Sequence, residues 1–130
     1  MSILTLDNVS YVYKNRYQTV QAVKDVSFSF EQGKVYAVMG KSGSGKTTML
    51  SLLAGLDLPS EGQVIFADTA TNDMNRDKYR REDVSVIYQA YNLFPLLTAL
   101  ENVMYPLELK GMKAKEAKVL AAEMIKSVGL

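Results

Sequence analysis

The 130-residue sequence contains no cysteine and no histidine. Without cysteine the chain has no disulfide, no thiol nucleophile and no cysteine metal site, which fits the cytoplasm. Without histidine it has no imidazole to serve as base, proton shuttle or metal ligand. The 15 Lys and Arg nearly balance the 14 Asp and Glu, and a net charge of +1 gives no field that would favour nucleic acid. Any anion site must therefore be local.

Long hydrophobic runs are also missing. No stretch approaches the roughly 18 to 20 apolar residues of a membrane span, and residues 1–5 lack the basic and then apolar order of a secretion signal. We therefore expect a soluble chain that could attach to a membrane partner. A chain of this length is one domain or part of one.

Residues 40–47, Gly-Lys-Ser-Gly-Ser-Gly-Lys-Thr, fit the phosphate-binding pattern G-x-x-x-x-G-K-[ST] and are called here the phosphate loop. The apolar run Val35–Met39 before the loop predicts a buried strand. The apolar residues 49–54 after it predict a helix that ends at Gly55. This junction makes nucleotide binding the first hypothesis, and a Gly/Ser linker that matches by accident is the alternative.

Each residue type in the phosphate loop has a chemical reason. Glycines let backbone N–H groups turn toward phosphate oxygens, and the N-terminus of the following helix adds a positive dipole. Lys46 would reach the β and γ phosphates of the nucleotide. Thr47 would place its hydroxyl on a magnesium ion that contacts the same phosphates.

The sequence before the phosphate loop predicts an antiparallel β-sheet at the start of the chain. Alternating segments indicate strands near residues 3–6, 9–13 and 26–30, with turns at residues 14–18 and 31–34. The phosphate loop then marks a change to α/β order.

The chain beyond Gly55 predicts two more strands and two helices. The strands are expected at residues 64–67 and 84–88, and the second of them leads into Gln89. Between them, residues 69–82 are polar and charged.

Two amphipathic patterns predict helices near the end of the chain. Thr98 and Glu101 form a capping box that begins the first, and Pro106 is expected to kink or interrupt it. The second has apolar residues at helical spacing, from Ala117 to Val128.

With the phosphate loop, Gln89 after a strand, and the run Leu93–Val103 (LFPLLTALENV), the chain resembles the nucleotide-binding subunits of ABC transporters. The resemblance covers all 130 residues. Residues 92–111 look most like the group that includes lipoprotein-release, macrolide-export and antimicrobial-peptide-export ATPases.

The resemblance implies an α/β fold with a phosphate-loop NTPase core. It divides the chain into an antiparallel β portion at residues 1–34, the core at 35–89 and the start of a helical subdomain at 90–130. Nothing in the sequence matches the family's Leu-Ser-Gly-Gly-Gln motif, its magnesium-holding Asp with the adjacent catalytic Glu, or its switch His. We therefore expect the first half of such a domain, truncated before the magnesium-Asp strand.

The resemblance also implies a set of site residues. The nucleotide site would comprise Tyr13, Gly40, Lys41, Ser42, Gly43, Ser44, Gly45, Lys46, Thr47 and Thr48. Tyr13 would stack on adenine, although Tyr11 and Tyr17 are close competitors. Gln89 would act with Lys46 in catalysis and with Thr47 at the magnesium ion; the alternative is a polar residue at a strand end.

Four further features have a functional and a structural interpretation. Residues 91–102 resemble the surface that docks a coupling helix of the membrane partner, but their apolar side chains could pack inside the subdomain. Arg76, Lys78, Arg80 and Arg81 could clamp phosphate, but a charged run is more often solvated surface. Asp68 after a short strand imitates a magnesium ligand, although the family has a surface turn there. The final helix is more typical of core packing than of a recognition face.

The implied function is the ATP-binding part of an ABC transporter motor that couples the binding and hydrolysis of Mg-ATP to transport. Its partners would be a transmembrane permease and a second nucleotide-binding subunit, at the inner face of the cell membrane, with no nucleic acid. The fragment alone should bind ATP but hydrolyse little of it, because the catalytic Glu and switch His are missing. Its open sheet edges predict instability or a strand-swapped homo-oligomer. A non-catalytic nucleotide- or partner-binding fragment and another phosphate-loop enzyme, such as a small-molecule kinase, are the alternatives.

Overall fold

A four-stranded antiparallel sheet organises the first part of the chain. The structure is a computed structural model that describes all 130 residues. The strands β1 (Ser2–Lys14) and β2 (Thr19–Glu31) form a long hairpin. The strand β3 (Glu61–Phe66) pairs with the other side of β1, and β4 (Thr69–Ala70) pairs with β3. The sheet order is therefore β2-β1-β3-β4.

The chain also contains four helices: α1 (Lys46–Leu53), α2 (Arg76–Glu82), α3 (Ala99–Leu109) and α4 (Ala114–Ser127). The chain divides into two compact units, Met1–Val86 and Ile87–Leu130. None of the helices is both long and apolar enough to span a membrane.

The strands predicted at residues 3–6 and 9–13 are one continuous strand, β1. The interruption in their pattern is a pair of bulges, where Asn8 and Asp25 have positive φ angles of 48° and 45°. The Asn8 side-chain amide donates to the Asp25 carboxylate at 3.0 Å. Bulges shift the alternation of side chains without ending a strand, which explains why two strands were predicted.

The core of the first unit lies between the sheet and α1. Leu6, Val9, Val23 and Val64 from the strands are buried against Leu52 and Leu53 from the helix. Each such side chain contributes about 1.5 to 3 kcal/mol when it is fully buried. This packing fixes α1, and with it the phosphate loop, on one face of the sheet.

The predicted strands at Val35–Met39 and Val84–Tyr88 are wrong for this structure. Neither segment is in a strand, and Val35 and Ile87 are almost fully exposed, at 100% and 99%. A strand is stabilised by hydrogen bonds to a neighbour, and no segment of the chain pairs with either run. Apolar composition alone therefore did not produce the strands.

The hairpin between β3 and β4 explains the environment of Asp68. Ala67 and Asp68 have positive φ angles of 43° and 66°, so they form the two-residue turn of this hairpin. Asp68 is exposed there. The alternative that Asp68 is a magnesium ligand gains no support from this position.

The second unit is built on the helices α3 and α4, which pack against each other. The predicted capping box is present: the Thr98 backbone N–H donates to Glu101 Oε2 at 2.7 Å, and the Glu101 backbone N–H donates to Thr98 Oγ1 at 3.2 Å. Ala117 and Ala121 of α4 are fully buried, as its helical pattern predicts. Of the two outcomes expected at Pro106, a kink or an interruption, the interruption is wrong, because α3 continues through Pro106 to Leu109.

Candidate phosphate-binding site

The phosphate loop curls into α1 through glycines in the left-handed region. Gly43 has a φ angle of 79°, and Gly45, which immediately precedes α1, has a φ angle of 91°. A Cβ atom on Gly45 would overlap the Ala22 carbonyl oxygen of β2, whereas one on Gly43 would meet open space. The loop is thus held against the sheet at Gly45, which only glycine can occupy without strain. The helix predicted after the loop is present, but the strand predicted before it is not.

Lys46 is folded over the phosphate loop. Its Nζ donates to the carbonyl oxygens of Gly40 and Lys41, both at 2.7 Å, and lies 3.3 Å from Ser44 Oγ. The ammonium therefore sits above the curl of the backbone at the N-terminus of α1, where an anion is favoured by the helix dipole. In chemical terms the site offers the Lys46 ammonium together with the backbone N–H groups at the start of α1.

The next two residues of α1 present hydroxyl groups in different environments. The Thr47 side chain is exposed, whereas Thr48 is buried, at 8% exposure. The Thr48 hydroxyl lies 3.0 Å from the Tyr13 hydroxyl at the end of β1. The structure therefore brings Tyr13 to the phosphate-loop helix.

The three tyrosines considered for base stacking, Tyr11, Tyr13 and Tyr17, lie in different environments. Tyr13 is 47% exposed, and its ring lies edge-on to that of Tyr11, with the centroids 4.8 Å apart. Burial, the Asp57 carboxylate and Tyr13 raise the pKa of Tyr11 above its ordinary value of 10.0. Tyr17 is 94% exposed in the turn that follows β1. Among the three tyrosines, Tyr13 alone bonds to α1.

Gln89 is not part of the unit that holds the phosphate loop. It lies in the second unit, Ile87–Leu130, where it is exposed and belongs to no strand. The remaining predicted residues, from Tyr13 to Thr48, all lie in the first unit.

The C-terminus of α1 has its own set of partners. Gly55, with a φ angle of 68°, ends the helix: its N–H donates to Leu52 O at 3.1 Å, and the next N–H, of Leu56, donates to Ser51 O at 3.0 Å. This pair of bonds is the Schellman arrangement, as the glycine after the apolar run predicted.

Side chains of α2 reach the carbonyl groups that follow. The Tyr79 hydroxyl donates to Leu53 O at 2.8 Å, and Arg80 Nη1 donates to Gly55 O at 2.6 Å. Arg76 Nη1 lies 3.3 Å from Gly55 O and 3.4 Å from Leu56 O. Burial, and then the Asp83 carboxylate, raise the pKa of the Tyr79 phenol above 10.0.

These contacts correct the interpretation of the charged run at residues 76–81. Lys78 and Arg81 are solvated and pair with Glu82, but Arg76 and Arg80 are partly buried against α1. Sequence reasoning missed both α2 and the role of Tyr79. The available signal was the spacing of Arg76, Tyr79 and Arg80, which places them on one face of a helix.

The segment at residues 91–102 is ordered by one side chain, Asn102. Its Oδ1 accepts from the Phe94 N–H at 2.9 Å, and its Nδ2 lies 3.2 Å, 3.1 Å and 3.0 Å from the carbonyl oxygens of Phe94, Leu97 and Thr98. Leu93 and Leu96 remain exposed, at 65% and 96%. The loop before α3 therefore exposes apolar side chains, while its backbone is held by hydrogen bonds to the Asn102 side chain.

The glycine loop, Lys46 and α1 together form a candidate phosphate-binding site, and comparison with known proteins identifies the family. The family model described as ABC transporter matches residues 23–130. The chain belongs to the ABC transporter family.

Curated relatives agree with this assignment. The chain is 42% identical over 130 residues to the ABC transporter ATP-binding protein YclH of Bacillus subtilis, covering 100% of this chain and 57% of the relative. It is 40% identical to the methionine import ATP-binding protein MetN of Bacillus subtilis, covering 98% of this chain and 38% of the relative. It is 37% identical to the lipoprotein-releasing system ATP-binding protein LolD of Idiomarina loihiensis, covering 99% and 58%. Relatives named for import and for release thus match alike.

A solved structure confirms the fold class. The ATP-binding cassette MJ0796, a protein of Methanocaldococcus jannaschii, superposes with a TM-score of 0.87 at 40% identity. The match covers 95% of this chain and 56% of the cassette, which is dimeric and bound to ADP and Pi. The chain therefore spans little more than half the length of this structure and of YclH, and corresponds to the N-terminal part of an ABC ATPase cassette.

Proposed function

We propose that the chain is the ATP-binding part of an ABC transporter motor, which in its complete form couples the binding and hydrolysis of Mg-ATP to transport. The observation that carries this proposal is the Lys46 ammonium, held over a glycine loop at the N-terminus of α1. The dimeric cassette that shares this fold is bound to ADP and Pi, the products of ATP hydrolysis.

On nucleotide binding, Lys46 would exchange its hydrogen bonds to the phosphate loop for hydrogen bonds to phosphate oxygens. Lys46 leaves the carbonyl oxygens of Gly40 and Lys41 and donates to the β and γ phosphates, where charge-assisted bonds are stronger. Backbone N–H groups of residues 42–47 share the remaining phosphate charge. Tyr13, fixed at its hydroxyl by Thr48, presents its exposed ring to the adenine.

Magnesium suits the oxygen donors of this site. No group of three or more Asp, Glu, His or Cys side chains in the chain could hold a metal ion alone, so the ion would need phosphate oxygens as further ligands. Thr47 offers an exposed hydroxyl beside the loop. The further ligand proposed on the family resemblance alone is the amide oxygen of Gln89. Magnesium, when bound, supplies charge neutralisation between the β and γ phosphates.

The partners proposed for the complete protein are a transmembrane permease and a second nucleotide-binding subunit, at the inner face of the cell membrane. The surface at residues 91–102 would dock the permease, since it exposes Leu93 and Leu96. We also propose that the complete protein belongs to the group of lipoprotein-release, macrolide-export and antimicrobial-peptide-export ATPases. The resemblance of residues 92–111 to that group supports this assignment. The chain alone should hydrolyse little ATP, and its unpaired apolar segment Val35–Met39 favours a strand-swapped homo-oligomer.

Calorimetry of Mg-ATP binding to the purified chain tests the proposal. Lys46→Ala should weaken binding by about tenfold or more, because a charged hydrogen-bond partner is worth about 1.5 to 3 kcal/mol. Lys118→Ala, which removes an exposed lysine of α4, is the matched control and should bind as the original chain does. Equal affinity in all three proteins, or no binding by any, would contradict the proposal. Released phosphate is counted in the same samples, and steady turnover would overturn the expectation of low activity.

A further inference from the structure

The helix that carries the phosphate loop is short. The helix α1 has eight residues, and a helix of this length is marginal in water without tertiary support. Its N-terminus carries the loop, and Leu52 and Leu53 bury one face against the sheet. Core packing and the approach of Gly45 to Ala22 hold α1 and the loop on the sheet, and the order of so short a helix also depends on what fixes its C-terminus.

The helix α2 supplies that fixation at the C-terminus of α1. Tyr79 donates to the Leu53 carbonyl within the buried interior, and both Arg76 and Arg80 point donors at the Gly55 carbonyl. Gly55 also lies against the Tyr79 ring, so closely that a Cβ atom there would approach Tyr79 Cδ1 to 2.9 Å. The Tyr79 ring packs in turn on Phe66 of β3, with the centroids 5.0 Å apart.

The charges of α2 match the dipole of α1. Carbonyl groups at a helix C-terminus carry partial negative charge, and cations there are stabilising. Two guanidinium groups lie at this end of α1, while the phosphate loop and its ammonium lie at the other. Side chains of α2 thus satisfy the last carbonyl of α1, at Leu53, and the Gly55 carbonyl just beyond the helix, while the first N–H groups of α1 are available at the loop.

We propose that Arg76, Tyr79 and Arg80 are positioning residues for nucleotide binding, acting through the C-terminus of α1 on the phosphate loop at its N-terminus. This inference rests on the proposed function. Loosening of α1 at its C-terminus lowers the fraction of molecules with a formed loop, and apparent affinity falls by that fraction.

The charged run of α2 contains its own control. Arg80 and Arg81 are adjacent and undergo the same change in Arg80→Gln and Arg81→Gln. Each pairs with a carboxylate of α2, Arg80 with Asp77 and Arg81 with Glu82, but of the two only Arg80 also bonds to Gly55 O. Calorimetry of Mg-ATP should show about fivefold weaker binding for Arg80→Gln and less than twofold change for Arg81→Gln. Tyr79→Phe, which removes only the hydroxyl, should weaken binding by a similar factor, and Arg80→Lys should recover part of the loss because it retains a donor.

Hydrogen exchange of the α1 amides in the free chain distinguishes the proposed positioning role of these residues from a role in overall stability alone. Measured at a temperature where each variant is fully folded by circular dichroism, exchange of the amides at residues 49–51 should accelerate about fivefold in Arg80→Gln and Tyr79→Phe but not in Arg81→Gln. Affinity and exchange equal to those of Arg81→Gln, with only a lower melting temperature, would overturn the inference. If Arg80→Gln does not fold, Tyr79→Phe and Arg80→Lys decide the question by the same two measurements.

The two proposals fail in different ways. If Lys46→Ala binds Mg-ATP as the original chain does, the proposed nucleotide function is wrong. The exchange measurement is made without nucleotide and still shows whether α2 controls the order of α1. If Lys46→Ala abolishes binding while Arg80→Gln and Tyr79→Phe leave both affinity and exchange unchanged, the nucleotide function stands and the positioning role is wrong.

Discussion

The hydroxyl groups of Tyr13 and Thr48 lie 3.0 Å apart and join the end of β1 to the first turn of α1. Because a hydroxyl both donates and accepts, Tyr13 can donate to Thr48 and leave the Thr48 proton available to a phosphate. One contact therefore connects the residue proposed to stack on the base with the helix proposed to hold the phosphates.

We predict that this contact is measurable as a coupling between Tyr13→Phe and Thr48→Val. Each change removes one hydroxyl and keeps the shape of the side chain, so a double-mutant cycle isolates the bond. The coupling in the free energy of unfolding should be about 0.5 to 1.5 kcal/mol, the usual contribution of one hydrogen bond. Urea unfolding followed by circular dichroism measures it.

The control for this cycle is Tyr17→Phe, since the Tyr17 side chain is 94% exposed. Combined with Thr48→Val, it should give additive changes in the free energy of unfolding. Additivity of Tyr13→Phe and Thr48→Val as well would show that the bond contributes nothing.

The two left-handed glycines of the phosphate loop should differ in their tolerance of alanine. Gly43→Ala meets open space and should cost only the backbone strain, about 1 to 2 kcal/mol. Gly45→Ala carries the same strain and also forces its Cβ into the Ala22 carbonyl oxygen, so the loop or β2 must move. We expect a larger loss of unfolding free energy and of Mg-ATP affinity for Gly45→Ala, by urea unfolding and calorimetry. Equal losses at the two positions would show that the approach to Ala22 is unimportant.

Sequence patterns predicted the elements whose partners are close in the chain. The hairpin of β1 and β2, the end of α1 at Gly55 and the capping box of Thr98 depend on residues a few positions apart or on strands joined by a short turn. The glycine curl that leads into α1 follows from the sequence for the same reason, because it requires glycines at fixed spacing, whereas its binding of phosphate stays a prediction.

The errors arose where structure depends on distant partners or on sparse signals. Val35–Met39 has the composition of a strand, but a strand forms only beside another, and composition does not say whether one is present. The helix α2 was missed because its apolar signal is a single residue, Tyr79, between charges. Its contacts with Leu53 and Gly55 cross more than 20 residues of sequence and could not be read from spacing.

Thr71 is a buried hydroxyl without a partner, and replacing it should stabilise the chain. Its side chain is 1% exposed and its Oγ1 makes no hydrogen bond, although its backbone N–H donates to Val64 O at 2.8 Å. Thr71→Val keeps the shape and removes the unpaired hydroxyl, so we expect a gain of about 1 kcal/mol in unfolding free energy. Thr69→Val, at an exposed position of β4, is the control. A loss of stability in Thr71→Val would show that the hydroxyl has a partner in solution, such as a bound water.

A negative charge at position 102 should disturb the loop before α3 more than loss of the Asn102 side chain does. Its amide nitrogen faces three carbonyl oxygens, so Asn102→Asp would replace these donor contacts by repulsion, whereas Asn102→Ala would only remove them. Hydrogen exchange of the Phe94 and Leu97 amides should accelerate in both variants, and more in Asn102→Asp at neutral pH. Lower pH should narrow the difference as the new carboxyl group is protonated. If Asn102→Asp protects these amides as well as asparagine does, the assigned orientation of the side-chain amide is wrong.

The stability of α3 should depend on pH through Glu101. The Thr98 backbone N–H, and then its hydroxyl, hold the pKa of the Glu101 carboxyl below its ordinary value of 4.5. A carboxyl group whose pKa is lowered by folding stabilises the folded state above the unfolded pKa, and this contribution is lost as the pH falls through the lower folded value. Protection of the α3 amides against hydrogen exchange should therefore be constant near neutral pH and decline below about pH 4.5. Glu101→Gln should remove this part of the decline, while Glu108→Gln, in the same helix but outside the capping box, should retain it. An identical decline in Glu101→Gln and the original chain would place the pH dependence in another group.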